Sequence, residues 1–317
     1  MYRLFTYINS FQKHFSSHVL LYHSTYHKAP ENIEKGLHNV VPVMLEKQIR
    51  WLKKNFDIVF VDELFKSKDI NGKAAITFDD GYKSVFQNTI PLIKSLGVPI
   101  TIFLNGSMFD DKPFWRDKIR FLINNSLVEQ FISYTKSKNL NIHLTDNNFY
   151  FDTKNKINNS IVINKICDDF LYKNNIDIKF NNYGLNQIKE LEKHPLISYG
   201  NHTYNHYVLS SLSRKEQEYE ISRNHDFLKK LNINKSNIFS IPFGDKNSFN
   251  TDTIKIIEKY GYSGVLLPDD MLNLNNNIKY QYLSNLKYLQ RYIVPENHIS
   301  FQFKIAKIFI KTIFKSL

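Results

Sequence analysis

The chain has 317 residues, of which 42% are hydrophobic and 15% aromatic, and this is enough apolar surface for a large core. Its formal net charge of +12 fits an anionic partner such as nucleic acid, a membrane surface or an acidic glycan, without choosing among them. The single cysteine, Cys167, which we interpret as buried apolar filler, excludes internal disulfides and cysteine-rich zinc clusters, so metal ligands would have to be His, Asp or Glu.

The apolar stretches at the N-terminus are broken by polar residues every few positions, so we find no signal-peptide core there. Nor does any segment reach the roughly 20 apolar residues needed to cross a bilayer. We therefore expect a cytoplasmic protein.

Short apolar, β-branched runs predict buried strands that alternate with helices. The predicted strands are 18–23, 57–61, 74–78, 99–104, 197–200, 238–244 and 262–267, and the helical patterns include 44–56, 85–97, 214–232 and 250–261. Strand then helix, repeated, predicts an α/β fold, and about seven strands fit a distorted (β/α)7-type barrel. In such a barrel the chemistry lies on loops at the C-terminal strand ends.

Two segments depart from this alternation. The stretch from about 120 to 185 is rich in Asn and Lys, and we interpret it as an inserted helix-and-hairpin segment that helps to shape a groove.

With no linker in the sequence, residues 1–300 form one predicted domain, followed by a basic amphipathic helix over 301–317. Wound as a helix, that segment sets Lys304, Lys307, Lys311 and Lys315 opposite Phe301, Ile305, Phe309, Ile313 and Leu317. It suits either an anionic membrane surface or packing on the barrel.

Two adjacent carboxylates, Asp79 and Asp80, follow the third predicted strand. Like charges repel and lose hydration when enclosed, so the pair carries a cost that a bound cation would offset. Both side chains can enter one site only if the chain leaves extended geometry, which Gly81 permits. The alternative is a pair of caps for the helix that begins near Tyr82.

His202 and His206 stand four residues apart after the strand at 197–200. This spacing predicts both imidazoles on one side of a helical turn, where they could grip one ion. Two His and one carboxylate leave coordination positions open, as in catalytic zinc sites. A surface-helix histidine pair is the alternative, but the carboxylate pair at another strand end favours a metal site.

A third pattern is a turn formed by Pro242 and Gly244. It would leave the backbone N–H of Phe243 free to receive a developing oxyanion. An ordinary strand-to-loop turn is the alternative.

The stretches "ITFDDG" (76–81), "HTYNH" (202–206) and "IPFG" (241–244), in this order, resemble the first three motifs of the polysaccharide deacetylase family. These are the carbohydrate esterase family 4 enzymes with the NodB homology fold. Further stretches, "VLLYHS", "LIKSLGVPITIFLNG", "FWRDKI" and "SLSRKEQEYEI", resemble members that act on bacterial surface polysaccharides, so the likeness covers roughly 18–295.

The resemblance implies hydrolytic removal of N-acetyl groups from an amino sugar in a bacterial surface polysaccharide or its lipid-linked precursor, with no nucleic-acid partner. It implies that Asp79 is the catalytic base, which takes a proton from a metal-activated water. Asp80, His202 and His206 would hold a divalent ion, usually zinc. The metal and the Phe243 amide would share the oxyanion of the tetrahedral intermediate.

The chain also departs from the family pattern. Ser240 stands where many members have an Arg that steadies the base; Arg291 is the candidate substitute, and an exposed strand Arg is the alternative. The usual late Leu-x-His that supplies the general acid is absent. His298 and His23 are the candidate acids, and simple solvation is the alternative for both.

Trp115 and Pro242 are the candidate substrate-binding residues, with stacking of Trp115 on a sugar and core packing as its two interpretations. Three other functions stay open: an O-acetyl esterase, a non-haem iron oxygenase with the same ligand types, and a catalytically silent glycan-binding homologue. The oligomeric state is not indicated.

Overall fold

The computed structural model describes residues 12–110, 112–176, 183–185, 191, 193–275 and 281–316. Within them the strands are β1 (Ser16–Tyr22), β2 (Asp57–Ile58), β3 (Lys73–Phe78), β4 (Ile100–Leu104), β5 (Ile197–Asn201), β6 (Lys235–Ser240), β7 (Gly264–Pro268), β8 (Asn273–Leu274), β9 (Tyr282–Leu283) and β10 (Leu286–Ile293).

Seven of these strands form a closed parallel barrel in the order β1-β3-β4-β5-β6-β7-β10, which returns to β1. Leu20 of β1 shows the closure, because it pairs with Tyr292 on one side and with Ile76 on the other. This arrangement confirms the predicted (β/α)7-type barrel and brings the C-terminal ends of all seven strands to one rim.

One predicted barrel strand was wrong. In the segment 57–61 only β2 is extended, and it pairs with the start of β3 outside the ring. The seventh barrel strand is β10, whose apolar residues are separated by Lys287, Gln290 and Arg291. The sequence shows no continuous apolar run here because polar residues interrupt the strand. These residues have specific partners in the fold, such as Asp79 for Arg291.

The described helices are α1 (Pro42–Asn55), α2 (Val61–Lys66), α3 (Ile90–Leu96), α4 (Trp115–Asn124), α5 (Val128–Ser137), α6 (Phe149–Asp152), α7 (Ser160–Lys173), α8 (Arg214–Lys230), α9 (Thr251–Lys259) and α10 (His298–Ser316). Their apolar residues recur at helical spacing, so that one face of a helix can pack against the barrel. In α1, for example, Leu45, Ile49 and Leu52 are fully buried in the core.

The inserted segment is helical where it is described. Helices α4 to α7 pack through aromatic contacts such as Phe131 with Phe149 and with Phe170, and the expected hairpin is not found among the described residues between 115 and 173. Cys167 is completely buried in this cluster, as its interpretation as filler requires.

Helix α10 packs on the barrel. Phe301, Ile305 and Phe309 are buried in the core, and the Phe301 ring meets Trp51 of α1 at 5.4 Å between centroids. The apolar face that we considered for membrane contact is therefore covered by protein. Leu317 and the side chain of Lys315 lie outside the described residues. Among the helices described, none is long and apolar enough to span a membrane.

Candidate active site

The three motifs meet at the C-terminal rim of the barrel. Asp79 and Asp80 directly follow β3, His202 directly follows β5, and Ser240 ends β6. All four residues are buried, with at most 2% of their surface exposed. The closed barrel therefore joins residues from distant parts of the chain in one site.

Both carboxylates enter the site because the backbone turns sharply after β3. Asp80 has a φ of 71° and Gly81 a φ of 100°, values in the left-handed region that are costly for a residue with a side chain. A Cβ on Gly81 would also lie 2.9 Å from Leu104 Cδ2. The conformation therefore favours glycine, and any larger residue would also force the Leu104 side chain to move.

The two histidines do not lie on a helical turn, so that prediction was wrong. They lie in a loop in which Thr203 and His206 have φ values of 63° and 60°. The Thr203 Oγ1 accepts the His206 backbone N–H at 3.0 Å, and Asn201 Oδ1 accepts that of Thr203 at 2.8 Å. These side-chain bonds replace helical hydrogen bonds.

Neighbouring side chains hold this loop in place. Asn105 Nδ2 donates to the carbonyls of His202 and Thr203, the latter at 3.0 Å. Trp115 Nε1 donates to the His206 carbonyl at 3.0 Å, and Trp115 is only 3% exposed. The structure therefore agrees with the packing interpretation of Trp115, whose side chain supports the loop that carries the two histidines.

Asp80, His202 and His206 converge on one point. Asp80 Oδ1 lies 3.7 Å from His202 Nε2 and 3.5 Å from His206 Nε2, and the three candidate ligand atoms lie within 4.8 Å of one another. His202 Nδ1 donates to the Ser240 carbonyl at 2.7 Å, which leaves a lone pair on Nε2. Asp80 Oδ1 and His202 Nε2 have no hydrogen-bond partner in the described part of the chain.

The electrostatics of these three residues also fit a cation. Burial lowers the pKa of His202, and burial together with His202 holds the pKa of His206 well below its ordinary value, so both rings are neutral donors. Burial and the neighbouring Asp79 raise the pKa of Asp80 to about 8. A divalent ion would favour the ionised form of Asp80, and its donor set of two imidazoles and one carboxylate suits zinc.

Asp79 is held by Arg291 from β10. The two guanidinium nitrogens donate to the two carboxylate oxygens, one of them at 2.8 Å, and Ser240 Oγ bridges the pair at 2.6 Å from Arg291 Nη2 and 3.2 Å from Asp79 Oδ2. Burial would raise the pKa of Asp79, but the Arg291 charge and hydrogen bonds, with His202, lower it. Asp79 is thus ionised, and Arg291 is 1% exposed, unlike the exposed alternative.

Of the two candidate acids, His23 lines the cleft above these residues, together with His38. His38 Nε2 must donate to the Val294 carbonyl at 2.7 Å, so its neutral Nδ1 accepts from His23 Nδ1 at 3.0 Å. His23 Nε2 then remains for other partners. His298 lies instead in the first turn of α10, beside Gln302 at 3.1 Å, and does not line the cleft.

The third motif provides another left-handed residue. Phe243 has a φ of 61°, lines the cleft, and places its ring edge-on to His206 at 4.6 Å between centroids. Pro242 is buried, accepts the Gly244 N–H at 2.7 Å, and is not among the residues that line the cleft.

Several cleft residues gave no signal in the sequence. They come from α4 and from the region of α6, which form one wall of the cleft at the rim: Arg116, Arg120, Tyr150, Phe151 and Lys154. Phe151 is 70% exposed, which makes it an aromatic surface open to a ligand. The segment from about 120 to 185 was expected to shape a groove. No pattern in the sequence, however, indicates which residues of the inserted helices approach the ends of the strands.

Comparison with known proteins gives the following matches. A family model described as Polysaccharide deacetylase matches residues 66–265, more than half of the chain. The deacetylase PplD of Streptococcus pyogenes, solved in complex with acetate, is similar with a TM-score of 0.54 at 16% identity, over 92% of this chain and 97% of that one.

Two further structures have the same fold. A putative polysaccharide deacetylase from Bacillus anthracis has a TM-score of 0.54 at 13% identity, over 92% of this chain and 68% of that one. IcaB from Ammonifex degensii has a TM-score of 0.52 at 13% identity, over 92% and 96%. The search of curated proteins returned no match.

Proposed function

The chain belongs to the polysaccharide deacetylase family, and from this premise we propose that it is a metal-dependent N-deacetylase. Its substrate would be an N-acetylated amino sugar of a bacterial surface polysaccharide or of a lipid-linked precursor. The single observation that carries the proposal is the buried triangle of Asp80, His202 and His206 next to an ionised Asp79. Few arrangements other than a cation site tolerate these charges at this depth.

Asp79 is the base in this mechanism. Asp80, His202 and His206 would hold a divalent ion, and this ion would supply Lewis acidity to lower the pKa of a water and to polarise the acetyl carbonyl. Asp79, kept ionised and oriented by Arg291, accepts a proton from the attacking water. The Phe243 N–H donates to the oxyanion that forms on the acetyl carbon.

His23 protonates the leaving sugar nitrogen in this proposal. Burial and then His38 hold the pKa of His23 well below its ordinary value, so His23 is neutral at rest. The proton that Asp79 takes from the water passes to His23 and from there to the leaving nitrogen. His38, fixed on the Val294 carbonyl, orients the His23 ring. Water thus adds hydroxide to the acetyl carbon and a proton to the nitrogen, releasing acetate and a free amine.

The test combines acetate release with zinc binding. With N-acetylglucosamine oligomers and zinc, we expect the parent protein to release acetate and Asp79→Asn to lose at least about 100-fold in kcat while zinc affinity is kept. His202→Ala should lose both. An O-acetyl esterase would release acetate from O-acetylated glycans only. A silent binding protein would release none and bind glycan equally well as Asp79→Asn.

We also propose that α10 contacts an anionic membrane surface, through a face other than the one expected. Its outward residues are Ile299, Phe303, Lys307, Ile310 and Phe314, at spacings of one helical face. The four apolar members are 46–75% exposed. Contact through this stripe would bring the protein to a membrane surface that carries lipid-linked glycans.

A further inference from the structure

One wall of the cleft carries cations without matching carboxylates. Arg116 of α4 lines the cleft and is only 1% exposed. Its Nη1 donates to Thr153 Oγ1 at 2.9 Å, while its Nε and Nη2 have no hydrogen-bond partner in the residues described. An arginine buried in this way usually has an anion next to it.

The other two arginines of the cleft are already paired. Arg120 pairs with Asp117 at 2.6 Å, and Arg291 pairs with Asp79. Asp245 is exposed and accepts the Asn247 N–H at 2.7 Å. Lys154 also lines the cleft. Within the described ranges, neither Arg116 nor Lys154 forms an ion pair with a carboxylate.

Aromatic rings hold these two cations in position, and no carboxylate of the described residues pairs with them. The Arg116 guanidinium lies 4.7 Å from the Trp115 ring centroid and 4.8 Å from that of Tyr150. Lys154 Nζ lies 3.8 Å from the Tyr150 centroid. Cation–π contacts of this kind fix geometry and leave the positive charge available.

The positive charge of this wall also shifts the pKa values of the groups beside it. Burial and then the Arg116 charge lower the pKa of Lys154 to about 8. Burial would raise the pKa of Tyr150, but the charges of Arg120, Arg116 and Lys154 lower it to about 7. An anion at this wall would relieve the repulsion among these cations.

We propose that Arg116 and Lys154 form a subsite for an anionic substituent of the substrate, so that the glycan is acidic. This inference rests on the proposed function, because it places the anion on the same glycan whose acetamido group occupies the metal site. The recognised chemistry is a carboxylate or a phosphate, as carried by a uronic acid or a sugar phosphate. Both cations can donate charge-assisted hydrogen bonds to such oxygens.

The experiment compares three tetrasaccharides with the zinc-loaded protein: neutral chitin tetramer, the same tetramer as its 1-phosphate, and hyaluronan tetramer, which carries carboxylates. We expect kcat/KM for acetate release to be at least about tenfold higher for one anionic substrate than for the neutral one. Whichever anion gives the higher value identifies the source. Equal values for all three overturn the proposal.

Variants assign the effect to the subsite. Lys154→Met should remove most of the preference and Lys154→Arg should keep it, whereas Lys156→Met, at an exposed lysine two residues away, should leave it unchanged. Because Arg116 is buried and its variants are at risk of misfolding, only the charge-conserving Arg116→Lys is added. A preference that survives in Lys154→Met overturns the proposal.

Calorimetric binding separates this inference from the proposed function. Tighter binding of either anionic tetramer that depends on Lys154, without any acetate release, would support the subsite and overturn the deacetylase assignment. Acetate release with no dependence on substrate charge would support the deacetylase and overturn the subsite.

Discussion

At the scale of single residues, Arg291 from β10 and Ser240 from β6 together hold the carboxylate of Asp79 in place. A carboxylate as deeply buried as Asp79 needs a cation to stay ionised. Arg291 reaches it from β10 with two hydrogen bonds, and Ser240 at the end of β6 is small enough to leave room and bonds to both partners. An arginine at position 240 would compete for the same space.

Replacing Arg291 by Lys should therefore lower activity while leaving the metal site intact. Lysine keeps a positive charge but cannot form the planar pair of hydrogen bonds, so Asp79 loses its fixed orientation. We expect kcat for acetate release to fall about 10- to 100-fold and zinc affinity to change less than about threefold. Arg50→Lys, in an exposed ion pair with Glu46, is the matched control and should be neutral. An unchanged kcat in Arg291→Lys would show that Asp79 needs no such partner.

A second residue-scale prediction concerns pH. Lys154 has a pKa of about 8; the charged groups that face it are Arg116, Arg120 and Tyr150. Since Lys154 is cationic below this value and neutral above it, the preference for an anionic over a neutral tetramer should decrease as pH rises from 7 to 9. The ratio of the two kcat/KM values cancels pH effects common to both substrates. Lys154→Arg should show a smaller decrease, which remains because Tyr150, with a pKa of about 7, ionises beside the subsite over the same range. A flat ratio in the parent protein would contradict the assignment.

How far the sequence predicts the site depends on how each residue reaches it. Asp79, Asp80 and His202 could be predicted to meet because each follows a parallel strand, and such strand ends share one rim. Arg116 and Lys154 could not, because their approach to the cleft depends on how the inserted helices fold back over the barrel. Arg291 was found only through the family resemblance, since an arginine inside a strand usually faces solvent.

At the scale of elements, the loops that follow the strands at the site carry four of the eight described non-glycine residues with positive φ. Asp80, Thr203, His206 and Phe243 all have positive φ, and such backbone strain concentrates at functional sites. The spacing of the histidines fits a helix as well as this loop, so the sequence favoured the wrong local structure. What decides for the loop is Thr203, whose side chain bonds to the His206 backbone.

The outward stripe of α10 leads to a prediction for the element alone. Phe303 and Phe314 are 49% and 75% exposed, and Lys307 lies between them on the same face. We expect the protein to sediment with vesicles that contain phosphatidylglycerol and not with pure phosphatidylcholine. Phe303→Ser with Phe314→Ser should reduce binding at least about fivefold.

The control for this element is Tyr172→Ser, which removes another highly exposed aromatic, 83% accessible, from α7. It should leave vesicle binding unchanged. Equal binding by the parent and the double variant would mean that the stripe does not contact lipid.

At the scale of the whole molecule, barrel closure and the metal site depend on the same strands. Asp80 follows β3, and the two histidines follow β5, with β4 paired between these strands. An ion held by all three residues would therefore tie together segments that separate on unfolding. Neighbouring strands in a parallel barrel commonly follow one another in the chain, so this neighbourhood fits the predicted fold, although the sequence alone could not give the distances within it.

Zinc should consequently stabilise the native state. At a free concentration about 100 times Kd, a ligand that binds only the folded protein adds about 2.7 kcal/mol, which corresponds to a rise in Tm of about 5 °C for a chain of this size. Calorimetry after chelation and after zinc addition measures this difference. Asp80→Asn should lose the zinc effect without lowering the Tm of the metal-free protein, because it removes the free-energy cost of burying a carboxyl group, with its pKa raised to about 8, beside Asp79. A zinc-dependent rise of the same size in Asp80→Asn would place the ion elsewhere and would remove the basis for the proposed mechanism.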